Sequence, residues 1–122
     1  MQLSPRRESL TSGDQSWIAS KHGTDSARTF TIDVTASAGK ISQGRIRSGE
    51  PFAIVGGLGV PYNAAGSAGT NVLAVFLLTD QPVTAGAGNV VAAGLDHGRI
   101  RVSRLPSPVA ADATTTGQFI FV

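Results

Sequence analysis

The sequence predicts a small all-β domain preceded by an extended N-terminal arm. Three observations favour this fold class. The chain has 122 residues, which is enough for one core of modest size. It contains 16 Ala, 15 Gly, 12 Ser and 11 Thr, a composition that favours turns and strands and offers few strong helix formers besides Ala. Several short apolar segments are separated by Gly and Pro, at a spacing typical of compact β domains.

Residues 1–29 are predicted to form the extended or disordered arm, and residues 30–122 the ordered domain. The large apolar side chains of the arm follow neither a period of 2 nor a period of 3.6, so they cannot bury one face. A lone tryptophan in a polar segment is typical of an interface anchor. We therefore favour a partner protein over the chain's own domain as the contact of the arm's tryptophan. These apolar side chains are Leu3, Leu10, Trp17 and Ile18.

Two strands are predicted in the first half of the domain. Residues 30–34 alternate apolar and polar side chains, which is the period of a strand with one buried face. Residues 52–55 form a short apolar run that ends at Gly56 and Gly57, as expected of a buried strand. Residues 58–70 contain four Gly or Pro, and we expect them to form a loop or an irregular hairpin.

The second half of the domain contains the most hydrophobic stretch, VLAVFLL at residues 72–78, which predicts a central strand. Residues 96–98 (DHG) predict a tight turn, because Gly readily adopts a positive φ. Residues 99–103 alternate basic or polar with apolar side chains and predict a strand with one basic face. A terminal strand is predicted at residues 119–122.

Composition and charge limit the classes of function. Ten Lys and Arg against eight Asp and Glu give a net charge of +2, which is a poor electrostatic footprint for nucleic-acid binding. The absence of cysteine excludes disulfides and thiolate zinc sites. The sequence has neither an apolar run long enough to span a bilayer nor the pattern of a signal peptide, so we expect a soluble protein without a membrane partner.

No motif combines the residue types and the spacing of a catalytic or metal site. We therefore expect no enzyme activity, no cofactor, no bound metal and no small-molecule substrate. The pattern Ser37-x-x-Lys40 matches one found in serine acyl enzymes, but it falls in a Gly-containing segment that is predicted to be a solvated turn. His22 and His97 each lie near an aspartate but lack the spacing of metal ligands.

The tetrapeptide GRIR occurs twice, at residues 44–47 and 98–101. The arginines in and near the two copies are candidates for an anion-binding site. They would form a basic patch if the two arginine-bearing strands were neighbours. The alternative is an exposed or interfacial face whose arginines pair with carboxylates. These residues are Arg45, Arg47, Arg99, Arg101 and Arg104.

Five segments, taken in order along the chain, carry a resemblance to a known family. They are QSWIASKHGTDSARTFTIDV, IRSGEPFAIV, NVLAVFLLTDQPV, AAGLDHGRIRVSRLP and GQFIFV. Together they resemble the head decoration (capsid cement) proteins of tailed bacteriophages, the lambda-type family. The stretches SWIASKHGTDSAR and LDHGRIRVSRLP look most like a Gly-rich and Ala-rich branch of that family. The lambda type itself shares only a looser pattern of arm and strands.

The resemblance implies a β-clip-like domain that is made in the host cytoplasm and assembles as a homotrimer on the outer surface of the capsid. It implies binding to the major capsid protein at local three-fold positions of the expanded head, with the arm adding a strand to a capsid sheet edge. Alternatives are another virion component, such as a tail or fibre protein, and a small enzyme with an unrecognised site. The implied arm contacts are Gln15, Ser16, Trp17, Ile18, His22, Thr24, Asp25 and Arg28.

Overall fold

A computed structural model describes residues 13–21, 23–84, 86 and 88–122, except for the side chain of Asp25. Within these residues the chain is mainly β, as predicted, and its helices are three single 3-10 turns at Thr24–Ser26, Ala38–Lys40 and Val102–Arg104. The strands of the described residues are β1 (Arg28–Ile32), β2 (Arg45–Ile46), β3 (Pro51–Val55), β4 (Leu58–Pro61), β5 (Val75–Leu77), β6 (Gln81–Pro82), β7 (Val90–Leu95), β8 (His97–Ile100) and β9 (Gln118–Phe121).

Five of the strands close into a barrel in the order β1-β4-β3-β5-β7, with β7 pairing back to β1. The neighbours in this barrel are antiparallel, except that β1 and β4 are parallel. The remaining strands form two ribbons, in which β2 is antiparallel to β6 and β8 is parallel to β9. The barrel is therefore the central element, and the ribbons flank it.

Strand β5 is shared by two hydrophobic cores. Val75 and Leu77 belong to the core inside the barrel, together with residues such as Phe30 and Phe52. Phe76 points to the opposite face, because successive side chains alternate along a strand. There it joins a second core, and β5 is consequently buried on both faces. The second core consists of Trp17, Leu73, Phe76, Leu95, Ile100 and Val109.

The hairpin of β3 and β4 differs in part from the sequence-based expectation. Residues 52–55 lie in a strand as predicted, but the segment after them begins with strand β4, which pairs with β3 from Val55 opposite Leu58 onwards. Gly56 and Gly57 have φ angles of 59° and 83°. Two successive positive φ angles are typical of the tight turns that join antiparallel strands, and glycine adopts them at little cost. The loop therefore begins only after Pro61.

The predicted tight turn at residues 96–98 is wrong. Strand β8 begins at His97, and both His97 and Gly98 pair with β9, opposite Gln118 and Phe119. The strand ends at Ile100, and a 3-10 turn at Val102–Arg104 replaces its predicted continuation. Pairing with a strand that is distant in sequence has outweighed the local turn preference of the Asp-His-Gly triplet.

The ring of Phe30 packs between two glycines of the barrel wall. A Cβ atom added to Gly59 would lie 2.7 Å from Cδ2 of this ring, and one added to Gly94 would lie 2.9 Å from Cδ1. Gly59 belongs to β4 and Gly94 to β7, the two strands that flank β1. The barrel therefore closes around Phe30 only because both flanking strands lack a side chain at these positions.

Substitution of Gly59 tests this packing. Gly59→Ala is expected to lower the free energy of unfolding by about 1–3 kcal/mol, the usual cost of overpacking a core. The matched control is Gly39→Ala, because an added Cβ there has no atom within 4 Å, and its effect should stay within about 0.5 kcal/mol. Urea denaturation followed by circular dichroism measures both. Equal stability of the two variants would contradict the role assigned to Gly59.

Candidate interaction surface

Trp17 is fully buried within its own domain, so the prediction that it anchors a partner protein is wrong. Its indole Nε1 donates a hydrogen bond of 3.0 Å to Ser48 Oγ, and its ring centroid lies 5.6 Å from that of Phe76. A Cβ atom on Gly49 would come within 2.8 Å of the indole ring and 3.1 Å of Pro106. The backbone at Gly49 thus lies directly against the tryptophan, which is part of the second core.

The described part of the predicted arm packs along β8. Ile18 forms an antiparallel bridge with Ile100. The Ala19 N–H donates to the Arg99 carbonyl at 3.0 Å, and the Arg101 N–H donates to the Trp17 carbonyl at 2.8 Å. The predicted boundary after residue 29 falls inside β1. Residues 1–12 and the predicted contact His22 lie outside the described residues.

Three of the predicted contact residues line one surface cavity of about 640 Å³, namely Gln15, Ile18 and Thr24. The Gln15 Nε2 donates to the Leu78 carbonyl at 2.7 Å, which fixes the side chain at the edge of the cavity. Thr24 Oγ1 donates to the Lys21 carbonyl at 2.7 Å and stabilises the turn beside it. The fold therefore brings together part of the residue set that the resemblance indicated.

The other predicted contacts lie elsewhere. The backbone N–H of Ser16 donates to Asp14 Oδ1 at 2.9 Å. Arg28 is exposed at the start of β1 and lines a separate cavity of about 340 Å³, beside Asp96 and His97. The His97 Nδ1 and Asp96 Oδ1 atoms are 2.8 Å apart, a hydrogen-bonded pair that orients the imidazole. The side chain of Asp25 lies outside the described part of the structure.

A third cavity connects these two. It has a volume of about 510 Å³ and shares Ser20 with the cavity of Gln15. It shares His97 and Gln118 with the cavity of Arg28. Phe119 and Ile120 of β9 also line it. Since the three cavities share lining residues, they form one continuous surface, which we call the cavity band.

Strand β9 gives the cavity band an open sheet edge. Ile120 is 55% exposed, and Val122, just beyond the strand, is 54% exposed. One edge of β9 pairs with β8, and no other strand of the described residues pairs with its second edge. An unpaired edge with exposed apolar side chains can accept a strand from another protein. Chemically, the surface is therefore suited to docking through main-chain hydrogen bonds and apolar contacts.

A polar cluster that the sequence did not predict lies outside the cavity band. Glu50 is only 4% exposed, and its Oε1 atom lies 3.2 Å from Lys40 Nζ and accepts a hydrogen bond of 2.5 Å from Ser107 Oγ. Lys40 Nζ also donates to Ser107 Oγ at 3.1 Å. These contacts compensate a buried carboxylate, as a buried charge requires. They also connect Ser107 to Glu50, the residue that directly precedes β3.

The Ser37-x-x-Lys40 pattern does not form a catalytic pair. Ser37 is fully buried rather than solvated, which corrects the prediction of a solvated turn. Its hydroxyl makes no hydrogen bond to Lys40, whose amine instead contacts Glu50 and Ser107. The side chain of Ser37 is therefore buried, while that of Lys40 binds Glu50 and Ser107.

The described residues contain no group of three or more His, Asp or Glu side chains placed to hold a metal ion. Their helices are too short to cross a membrane. Comparisons with protein-family models, with curated proteins and with solved structures each found no match.

Truncation of Trp17 tests its structural role. Trp17→Ala should lower the free energy of unfolding by about 3–5 kcal/mol, because it removes a large side chain from a core. Trp17→Phe should cost less, since it retains a ring against Phe76 and loses the hydrogen bond to Ser48. Val91→Ala, at a side chain that is 63% exposed, is the control and should change stability by less than about 1 kcal/mol. If Trp17→Ala unfolds at the same denaturant concentration as the wild-type protein, this structural role is wrong.

Proposed function

We propose that this chain is a structural virion protein that decorates and stabilises the expanded icosahedral head of a tailed bacteriophage. It binds the major capsid protein as a homotrimer at local three-fold positions, on the outer surface of the capsid. Its role is mechanical and needs no catalytic group. The proposal rests on the sequence resemblance together with one structural observation.

That observation is the position of three of the five segments that carry the resemblance. Residues 16–28, 95–106 and 117–122 are far apart in sequence, yet their described members together supply most of the lining of the cavity band. Many of the residues that resemble those of decoration proteins therefore lie on one continuous surface. Proteins that bind the same kind of partner are expected to share surface residues. A resemblance limited to core residues would indicate a shared fold but no shared partner.

The cavity band also has suitable chemistry for binding a shell protein. The open edge of β9 offers main-chain groups, and Ile120 and the half-buried Ile18 offer apolar contact. A peptide that adds a strand to such an edge gains affinity from main-chain hydrogen bonds and specificity from alternate side chains. Three copies of the surface in one trimer would strengthen a weak single contact by raising the effective concentration.

Co-sedimentation with heads tests the proposal. The wild-type chain should pellet with expanded, DNA-free heads built from the major capsid protein of the same phage, and cryo-electron microscopy should show three copies around each local three-fold position. Ile120→Asp should weaken binding at least about tenfold, because it puts a charge into an apolar contact. Val91→Asp is the matched control, since Val91 is another exposed apolar strand residue and lies outside the cavity band.

Two results would contradict this function, and a third would contradict the proposed interface. The first is the absence of co-sedimentation, and the second is density at single positions away from the three-fold axes. The third is equal binding by the Ile120→Asp and Val91→Asp variants, which would remove the cavity band from the interface. An elongated oligomer without affinity for heads would favour the tail or fibre alternative.

A further inference from the structure

Three arginines from two segments that are distant in sequence line one cavity on the side of the β2–β6 ribbon. Arg45 lies in β2, Arg47 directly follows β2, and Arg104 ends the 3-10 turn at Val102–Arg104. They line a cavity of about 310 Å³ that also contains Asp14, Ser48 and Asp80. The fold thus joins some of the arginines of the two GRIR regions, although Arg99 and Arg101 are not among them.

The acidic residues of this cavity are already engaged. The Asp80 carboxylate lies 3.2 Å from Arg45 Nε and accepts a hydrogen bond of 2.7 Å from the Ser48 N–H. The side chain and the backbone N–H of Ser16 hold the pKa of Asp14 below its ordinary value, with a smaller contribution from Arg104. Asp14 is therefore a hydrogen-bonded carboxylate at the rim of the cavity.

Two of the three guanidinium groups make no ion pair with the described residues of the chain. Among the described residues, neither Arg47 nor Arg104 forms an ion pair within 4 Å. Both side chains are exposed, so water solvates them in the free protein. Three arginines against two aspartates leave the cavity with an excess positive charge, and a concave surface concentrates the field of such charges.

We propose that this cavity binds a small oxyanion, a phosphate or a carboxylate, through Arg47 and Arg104. The planar guanidinium group matches the geometry of both anions and forms paired hydrogen bonds with them. A volume of about 310 Å³ lies at the lower end of the range for ligand sites, which favours a compact anion over a nucleotide. The inference does not depend on the proposed role in capsid decoration, because it concerns a different surface.

Titration of the free protein tests the site. Inorganic phosphate and succinate, added separately at constant ionic strength, distinguish a tetrahedral from a carboxylate ligand. Saturable shifts of the backbone amide signals of residues 45–48 and 104–105 in ¹⁵N-correlated NMR spectra are expected for the preferred anion. Affinity should fall as salt is raised, since exposed charges are screened.

Three variants locate the ligand. Arg47→Gln and Arg104→Gln should each weaken binding about fivefold, the size of a favourable exposed ion pair. Arg99→Gln is the matched control, because it removes the same charge from an exposed arginine outside this cavity, and it should leave the affinity unchanged. All three positions are exposed, so the variants should fold, and amide spectra before titration verify this.

The proposal is overturned if neither anion produces saturable shifts, or if Arg99→Gln weakens binding as much as the two cavity variants do. Either result would mean that the arginines act only as a diffuse positive surface. If the wild-type protein binds phosphate but does not bind heads, the decoration function is contradicted and the anion site is not.

Discussion

The burial of Phe76 is the constraint on which the second core depends. Its neighbours Val75 and Leu77 fill the barrel, so the ring of Phe76 projects from the opposite face of β5. An uncovered phenylalanine there would forgo about 2–3 kcal/mol of hydrophobic stabilisation. Trp17 and Phe119 cover it, with ring centroids at 5.6 and 4.9 Å. Both the segment before β1 and the last strand are therefore needed as a second layer.

The fold could be predicted from the sequence wherever burial follows one clear period. The alternation in residues 30–34 and the apolar runs 52–55 and 72–78 identify β1, β3 and β5, because these segments face a core. Strand β4 escaped prediction since it needs Gly59 to make room for Phe30, and a glycine breaks the apolar pattern. Strand β8 was predicted in part as a turn, because its partner strand β9 lies about twenty residues further along the chain. The local sequence Asp-His-Gly gives no information on such a distant pairing.

The candidate surface was only partly predictable. The resemblance indicated Gln15, Ile18 and Thr24, which line the same cavity, but the aperiodic polar context of Trp17 suggested an exposed anchor. The sequence signal for the burial of Trp17 lies in residues 72–78. Side chains on both faces of this strand are apolar, so the face outside the barrel must be covered by another part of the chain. Ser48 gives no such signal, because its importance arises only when the fold places its hydroxyl between the indole of Trp17 and the Leu78 carbonyl.

Trp17 is an intrinsic fluorescence probe of the second core. It is the chain's sole tryptophan, and it lies in the second core, while the barrel core contains none. Indole emission therefore reports on the packing of the outer layer against β5, independently of backbone circular dichroism, which is dominated by the sheet. If the outer layer loosens before the barrel unfolds, the emission shifts to longer wavelength while the sheet signal persists, and the two layers can be followed as separate cooperative units.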